Sequence, residues 1–265
     1  MSVRKRVKKL LYGSVPGLAG SFPYFGTRVF FPKKAYIFEI VCEEGIYERE
    51  LLRHIQGVVT AGSWYFDVGA NIGLMSVPVL QSCANVNVLS FEPSPNSRPY
   101  LLKTWENCPW KSRWKVIEKA VGDRSESVQM SLSPRELSGF DGIKHTQRVK
   151  RAGVVTIEMT TIDAEWRALG RPQVSCIKLD VEGAELWALS GAQETIAAAR
   201  PLIVMEWFEQ NFKHYGCNAE DLIAIADNLD YDLFSSAHLT PISSRQILKM
   251  HLGLTASFVL VPRTH

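Results

Sequence analysis

Asp67 lies next to the end of a short apolar run, residues 64–68, which is followed at once by Gly69, Ala70 and Asn71, with Gly73 two residues on. A glycine at such a junction lets a ligand approach the backbone closely, and a second lets the next helix pack near the sheet. The spacing here is Gly-x-x-x-Gly. The dinucleotide fingerprint is Gly-x-Gly-x-x-Gly, which seats a pyrophosphate on a helix N-terminus. A carboxylate aimed at that spot opposes a pyrophosphate and suits a ligand whose nearest group is cationic or rich in N–H donors. Glu92 lies 19 residues after Gly73, at the end of a second apolar run and just before Pro93. A carboxylate there can accept hydrogen bonds from both hydroxyls of a ribose. Two acids at adjacent strand tips read as a nucleoside clamp.

Further along, Asp180 ends the apolar run 175–179, Glu182 and Glu185 follow, and Glu206 ends the run 202–205. Open α/β sheets bind ligands at the carboxyl ends of their strands, so Asp180, Glu182 and Glu206 are the candidate general bases. A cluster of carboxylates raises the pKa of one member and can make it a base. Glu182 or Glu185 could instead simply favour a helix N-terminus electrostatically. His145 and His214 are further candidate bases, outside any motif. Lys144, Arg148, Lys150 and Arg151 could meet an anionic group of a substrate, whereas Trp105, Trp110 and Trp114 fit core packing better than ligand stacking.

These residues need strands and helices to hold them in place. From residue 63 onward, apolar runs and amphipathic stretches alternate. Strands are expected at 64–68, 86–91, 114–121, 175–180, 202–207, 231–235 and 257–261. Helices are expected at 72–82, 97–107 with Ser97 as its cap, 184–200 and 218–229. Such alternation predicts a mostly parallel sheet with helices on both faces. Residues 132–152 interrupt the rhythm and read as a binding loop or lid, flanked by a hairpin at 127–131 and 154–159. Residues 1–62 are expected to be a basic segment and cap, with a β-pair around 29–41 and a helix around 47–56. Residues 63–265 then form the main domain, with the insertion at about 127–159.

The chain has 265 residues, 46% of them hydrophobic and 22% charged, with a mean hydropathy of −0.03, which fits one large soluble globular domain. The longest uninterrupted apolar run has five residues, 222–226, against roughly 20 for a membrane span. The front lacks the apolar core of a secretory signal, so a cytoplasmic location is expected. The five cysteines include no Cys-x-x-Cys pair, so reduced thiols are expected rather than a metal site. Residues 1–38 hold eight Lys or Arg and no acid, leaving 22 basic against 27 acidic residues in the remainder. Residues 1–13 could form a basic amphipathic helix in weak contact with an anionic membrane surface, or a solvated tail. The body carries no basic stripe or aromatic-basic motif, so no nucleic-acid partner is expected.

Four segments, Phe66-Asp-Val-Gly-Ala-Asn-Ile-Gly73, Ser90-Phe-Glu-Pro93, Ala120-Val-Gly-Asp123 and Ile177-Lys-Leu-Asp-Val-Glu-Gly-Ala-Glu185, resemble in order and spacing the successive motifs of FkbM-type methyltransferases. The resemblance covers about residues 40–210, and its last motif is the most specific. It implies a Rossmann-like class I methyltransferase fold with seven strands, the last antiparallel. It also implies S-adenosylmethionine as cofactor, whose ammonium and sulfonium suit the acidic clamp, and S-adenosylhomocysteine as product. The implied acceptor is a hydroxyl on a sugar, polyketide or other secondary metabolite. On this resemblance Asp67, Gly69, Ala70 and Asn71 line the methionine and ribose side, Glu92 holds the ribose with Pro93 beside it, and Ala120 and Val121 border the adenine. Asp180 lies beside both cofactor and acceptor, and Asp123 either receives an adenine N–H or serves a plain turn. In-line displacement at an activated methyl needs no metal. Two other readings remain: an NAD-type Rossmann oxidoreductase with Glu92 on the ribose, and a methyltransferase-fold binding protein without turnover.

Overall fold

The computed structural model describes residues 3–13 and 20–264. Ahead of the large sheet lie α1 (Val3–Tyr12), β1 (Ser21–Tyr24), β2 (Thr27–Phe30), α2 (Tyr36–Glu44) and α3 (Arg49–Val58). The chain continues through β3 (Trp64–Val68), α4 (Ser76–Ser82), β4 (Asn87–Phe91), α5 (Arg98–Glu106), β5 (Trp114–Ile117), β6 (Ala120–Val121), β7 (Glu126–Leu132) and β8 (Gly153–Thr160). Next come α6 (Ile162–Ala168), β9 (Val174–Leu179), α7 (Glu185–Ser190), α8 (Gln193–Ala199), β10 (Leu202–Glu206) and α9 (Glu209–Phe212). The last elements are α10 (Asp221–Leu229), β11 (Tyr231–Ser235), β12 (Thr240–Pro241), α11 (Arg245–Leu252) and β13 (Ser257–Pro262).

The large sheet runs β12-β11-β13-β10-β9-β3-β4-β5. Its half from β10 to β5 is parallel, and β13 is antiparallel to both β10 and β11. This is the expected α/β, Rossmann-like class I methyltransferase arrangement, with eight strands rather than seven because the two-residue β12 adds to the β11 edge. Strands buried on both faces read as unbroken apolar runs, which is why β9 and β10 were visible in the sequence. Side chains alternate between the faces of a sheet. Tyr65, Cys176 and Val204 share one buried cluster with Phe38, Leu52 and Ile55 of the N-terminal helices. Phe66, Ile177 and Met205 join the opposite cluster, with Ala188 and Ile196 of α7 and α8. By the same alternation Asp67, Lys178 and Glu206 point to the face that the N-terminal cap covers.

Several expected elements differ in their bounds. The strand expected at 114–121 is split, with β5 in the large sheet and β6 paired to β8 in a three-stranded sheet with β7. The hairpin flanking the insertion is present as β7 and β8. The expected β-pair at 29–41 is instead the β1–β2 hairpin followed by a helix: Phe38, Val41 and Cys42 of α2 are buried at helical spacing. The helix expected at 184–200 breaks into α7 and α8 at Gly191, where a Cβ would come within 2.0 Å of the Gly122 carbonyl oxygen. Ser97 has helical backbone angles, so its side chain does not cap α5.

Of the two readings of residues 1–13, a basic helix or a solvated tail, the structure has a helix, α1, over Val3–Tyr12; residues 1 and 2 lie outside the described residues. Lys5 pairs with Glu43 and Lys9 with Glu39 of α2, so part of its charge is engaged within the chain, while Val3, Val7, Leu10 and Leu11 are exposed. All five cysteines are free. Among the described residues no helix is long and apolar enough to cross a membrane.

Candidate active site

The turn from β3 into α4 is held by backbone hydrogen bonds to the tip of β4 and within itself. The N–H groups of Gly69 and Ala70 both donate to the Phe91 carbonyl at 3.0 Å, and the Gly73 N–H donates to Ala70 at 2.8 Å. Gly69 sits at φ 81°, and a Cβ there would come within 1.9 Å of the Asp180 carbonyl oxygen, so the β3 and β9 tips abut. Asn71 also lies in the left-handed region, at φ 51°, and its N–H donates to Glu92 Oε2 at 2.8 Å. Glu92 Oε1 accepts from the Ser94 N–H at 2.8 Å. Two backbone amides thus fix this carboxylate at the tip of β4, while burial pushes its pKa up to about 8.

Gly69, Ala70, Asn71, Glu92, Pro93, Ala120, Val121, Asp180, Glu182 and Glu206 all line one cavity at the carboxyl ends of the parallel strands. Asp67 does not line it, which differs from its expected place on the cofactor side. It is fully buried behind the wall, accepts a hydrogen bond from Ser76 Oγ and lies 3.7 Å from Lys178 Nζ. The reason is register: Asp67 and Lys178 are direct partners on neighbouring parallel strands. Lys178 also reaches Asp180 at 3.1 Å. Burial works against its charge, but Asp180 and Asp67 outweigh that and raise its pKa. Asp123 is exposed, pairs with Arg124 and does not line the cavity.

Asp180, Glu182 and Glu206 each bring one oxygen within 4.8 Å of the others. Glu182 is in the left-handed region at φ 56°. Burial, with Asp180 and Glu185 adding to it, raises its pKa to about 8 against the opposing pull of Arg148. Burial and the carboxylates of Asp180 and Glu182 push Glu206 well above the usual range. Glu185 takes the helix-start role instead, its Oε1 accepting from the Val181 and Gly183 N–H groups at 3.0 and 3.2 Å. Neither His145 nor His214 lines the cavity.

Residues 132–152 cover the site and are pinned on both sides. Asp141 accepts from Ser94 Oγ, Asn96 Nδ2 and the Ser133 N–H. Arg148 donates to Glu182 at 2.9 Å and to Asn211 Oδ1 at 3.2 Å, and Asn211 Nδ2 donates to Glu206 at 3.0 Å. The Arg148 guanidinium lies 4.5 Å from the Phe140 ring centre and 4.7 Å from that of Phe208. Of the basic cluster only Arg148 reaches the cavity wall. Lys178, Tyr47 and Glu48 also line it and carried no assigned role from the sequence. Lys178 had a signal, a lysine inside an apolar strand; Glu48 had none, being one of several acids in its segment.

The donor set fits S-adenosylmethionine. Glu92 is oriented with lone pairs to spare, carboxylates outnumber cations at the opposite end, and the buried Glu48 Oε2 and Asn71 Oδ1 have no partner among the described residues.

The family model described as the methyltransferase FkbM domain matches residues 67–233. The hexuronic acid methyltransferase AglP of Haloferax volcanii is 27% identical over 158 residues, 59% of this chain and 61% of that protein. The 2-O-methyltransferase NoeI of Sinorhizobium fredii is 26% identical over 156 residues, 54% of this chain and 63% of its own. The chain therefore spans about three fifths of the length of these curated relatives. A crystal structure of a methyltransferase FkbM from Methylobacillus flagellatus, 17% identical, overlaps 84% of this chain and 52% of its own with a TM-score of 0.49. With more than half of the chain matched, from Asp67 through both carboxylate-bearing strand tips, this protein belongs to the FkbM methyltransferase family.

Proposed function

We propose that the chain is an S-adenosylmethionine-dependent O-methyltransferase acting on a hydroxyl of a sugar-like small molecule. Glu92 carries this proposal: a carboxylate at a strand tip, fixed by two backbone amides beside a glycine turn, is the feature a ribose requires. The name of the relative AglP, a hexuronic acid methyltransferase, supports a sugar acceptor. A nicotinamide dinucleotide would need free N–H groups at the β3–α4 turn, and those of Gly69, Ala70, Asn71 and Gly73 are already engaged.

When bound, S-adenosylmethionine supplies a methyl group already activated by its sulfonium. Glu92 accepts the ribose hydroxyls on its remaining lone pairs. Gly69, Ala70 and Asn71 back the cofactor, with Pro93, Ala120 and Val121 bordering the adenine. Asp180, Glu182 and Glu206 orient the acceptor hydroxyl and take its proton. Asn211 and Arg148 hold Glu206 and Glu182 for that task. Alignment of this kind accounts for several kcal/mol of barrier, about 7 at the low end of intramolecular models. The cover at 132–152 and the cap exclude water.

Isothermal titration with S-adenosylhomocysteine tests this, with NAD as control. Wild-type protein is expected to bind the first and not the second, and Glu92→Ala to weaken binding about tenfold or more. A folded wild-type protein that binds NAD in preference would overturn the proposal.

A further inference from the structure

Glu48 stands between α2 and α3, outside the stretch matched by the family model. Its backbone is left-handed, φ 42° and ψ 51°, a conformation a glutamate rarely adopts and one that clusters at ligand sites. Asn71 and Glu182, the other non-glycine residues of the cavity wall with positive φ, flank the same space. Although it occupies the N-cap position of α3, its side chain does not cap the helix. It lines the cavity instead, where Oε2 is buried with no partner among the described residues.

The charges that act on Glu48 are Asp180, Lys178, Asp67 and Glu44. Lys178 is the one cation among them, and it is already 3.1 Å from Asp180 and 3.7 Å from Asp67. Burial and Asp180 accordingly push the Glu48 carboxyl up to about 7. A buried acceptor left without a donor, at a strained position beside other acids, is completed by a cationic donor from a ligand. The nucleoside half of the cofactor belongs at the Glu92 end, which leaves the amino-acid half for the end where Glu48, Lys178 and Asp180 meet. Beyond the nucleoside, the N–H donor shared by S-adenosylmethionine and S-adenosylhomocysteine is the α-ammonium.

We propose that Glu48 binds the α-ammonium of the cofactor's methionine half, so that the N-terminal cap forms part of the cofactor site. This rests on the cofactor reading above. The test is titration of the full chain with S-adenosylhomocysteine and with 5′-methylthioadenosine, which keeps the nucleoside thioether and lacks the amino-acid half. Glu48→Gln is expected to weaken S-adenosylhomocysteine at least tenfold and leave 5′-methylthioadenosine within twofold of wild type. Glu48→Asp, which keeps the charge, is expected to recover most of the difference. Equal weakening of both ligands, unchanged S-adenosylhomocysteine binding, or a Glu48→Asp variant no better than Glu48→Gln overturns the assignment. A folded wild-type protein that binds neither ligand overturns the cofactor reading itself, whatever Glu48 does.

Discussion

Asp180 has two neighbours with opposite demands. Lys178 holds its carboxylate from behind at 3.1 Å, while Glu182 and Glu206 crowd it on the cavity side. Replacing it by Asn keeps the shape and removes the charge. Asp180→Asn is therefore expected to keep measurable S-adenosylhomocysteine binding while methyl transfer falls by about 100-fold or more, the usual size of a lost proton-transfer group. A radiolabelled methyl-transfer assay run beside titration separates the two effects, and wild-type turnover would remove Asp180 from the chemistry. Asp180 and Glu206 could be picked from the sequence because an acid directly after an apolar run marks a strand tip, and Glu182 because it lies two residues beyond Asp180. What each acid faces was not readable, since Asp67, one residue before the end of β3, turns behind the wall to meet Lys178.

The β3–α4 turn depends on glycine for two separate reasons. Gly69 has φ 81°, and any Cβ would meet the Asp180 carbonyl oxygen at 1.9 Å. Gly69→Ala should cost roughly 1–3 kcal/mol in backbone strain alone and also push the β9 tip away. Thermal melting and S-adenosylhomocysteine titration are both expected to show a loss; an unchanged melting temperature would mean the two strand tips separate freely. The turn was visible as an acid-glycine junction between an apolar run and a helix pattern. The start of α4 at Ser76 was not visible, because residues 71–75 form a turn set by Glu92 and the packing of Gly73 against the Trp114 ring.

Across the molecule, burial raises the pKa of a group of carboxyls at the carboxyl ends of the strands: in the cavity wall Glu48 to about 7, Glu92 to about 8 and Glu182 to about 8, and beside them Glu185 to about 7. In each case the folded pKa lies above the unfolded one. The stability they contribute is full below about pH 4 and is lost as pH rises through 7 to 8. Ligand-free protein is expected to melt at least ~2 °C lower near pH 8.5 than near pH 6, since about 1 kcal/mol moves a chain of this size by a few degrees. Differential scanning fluorimetry across that range checks the sign, and a melting temperature that climbs instead would place these groups in a wetter setting.

The order of strands and helices, the strand-tip acids and the glycine turn were determined by the sequence itself, because burial period and backbone permissiveness are local properties written along the chain. Where side chains meet was decided by the tertiary structure. Strand register set Lys178 against Asp67, the insertion brought Arg148 onto Glu182, and the packing of α3 on the capped sheet face delivered Glu48 to a site whose first motif begins 18 residues further on. Such contacts join residues far apart in the chain, and their geometry follows from how whole elements stack, which no local pattern encodes.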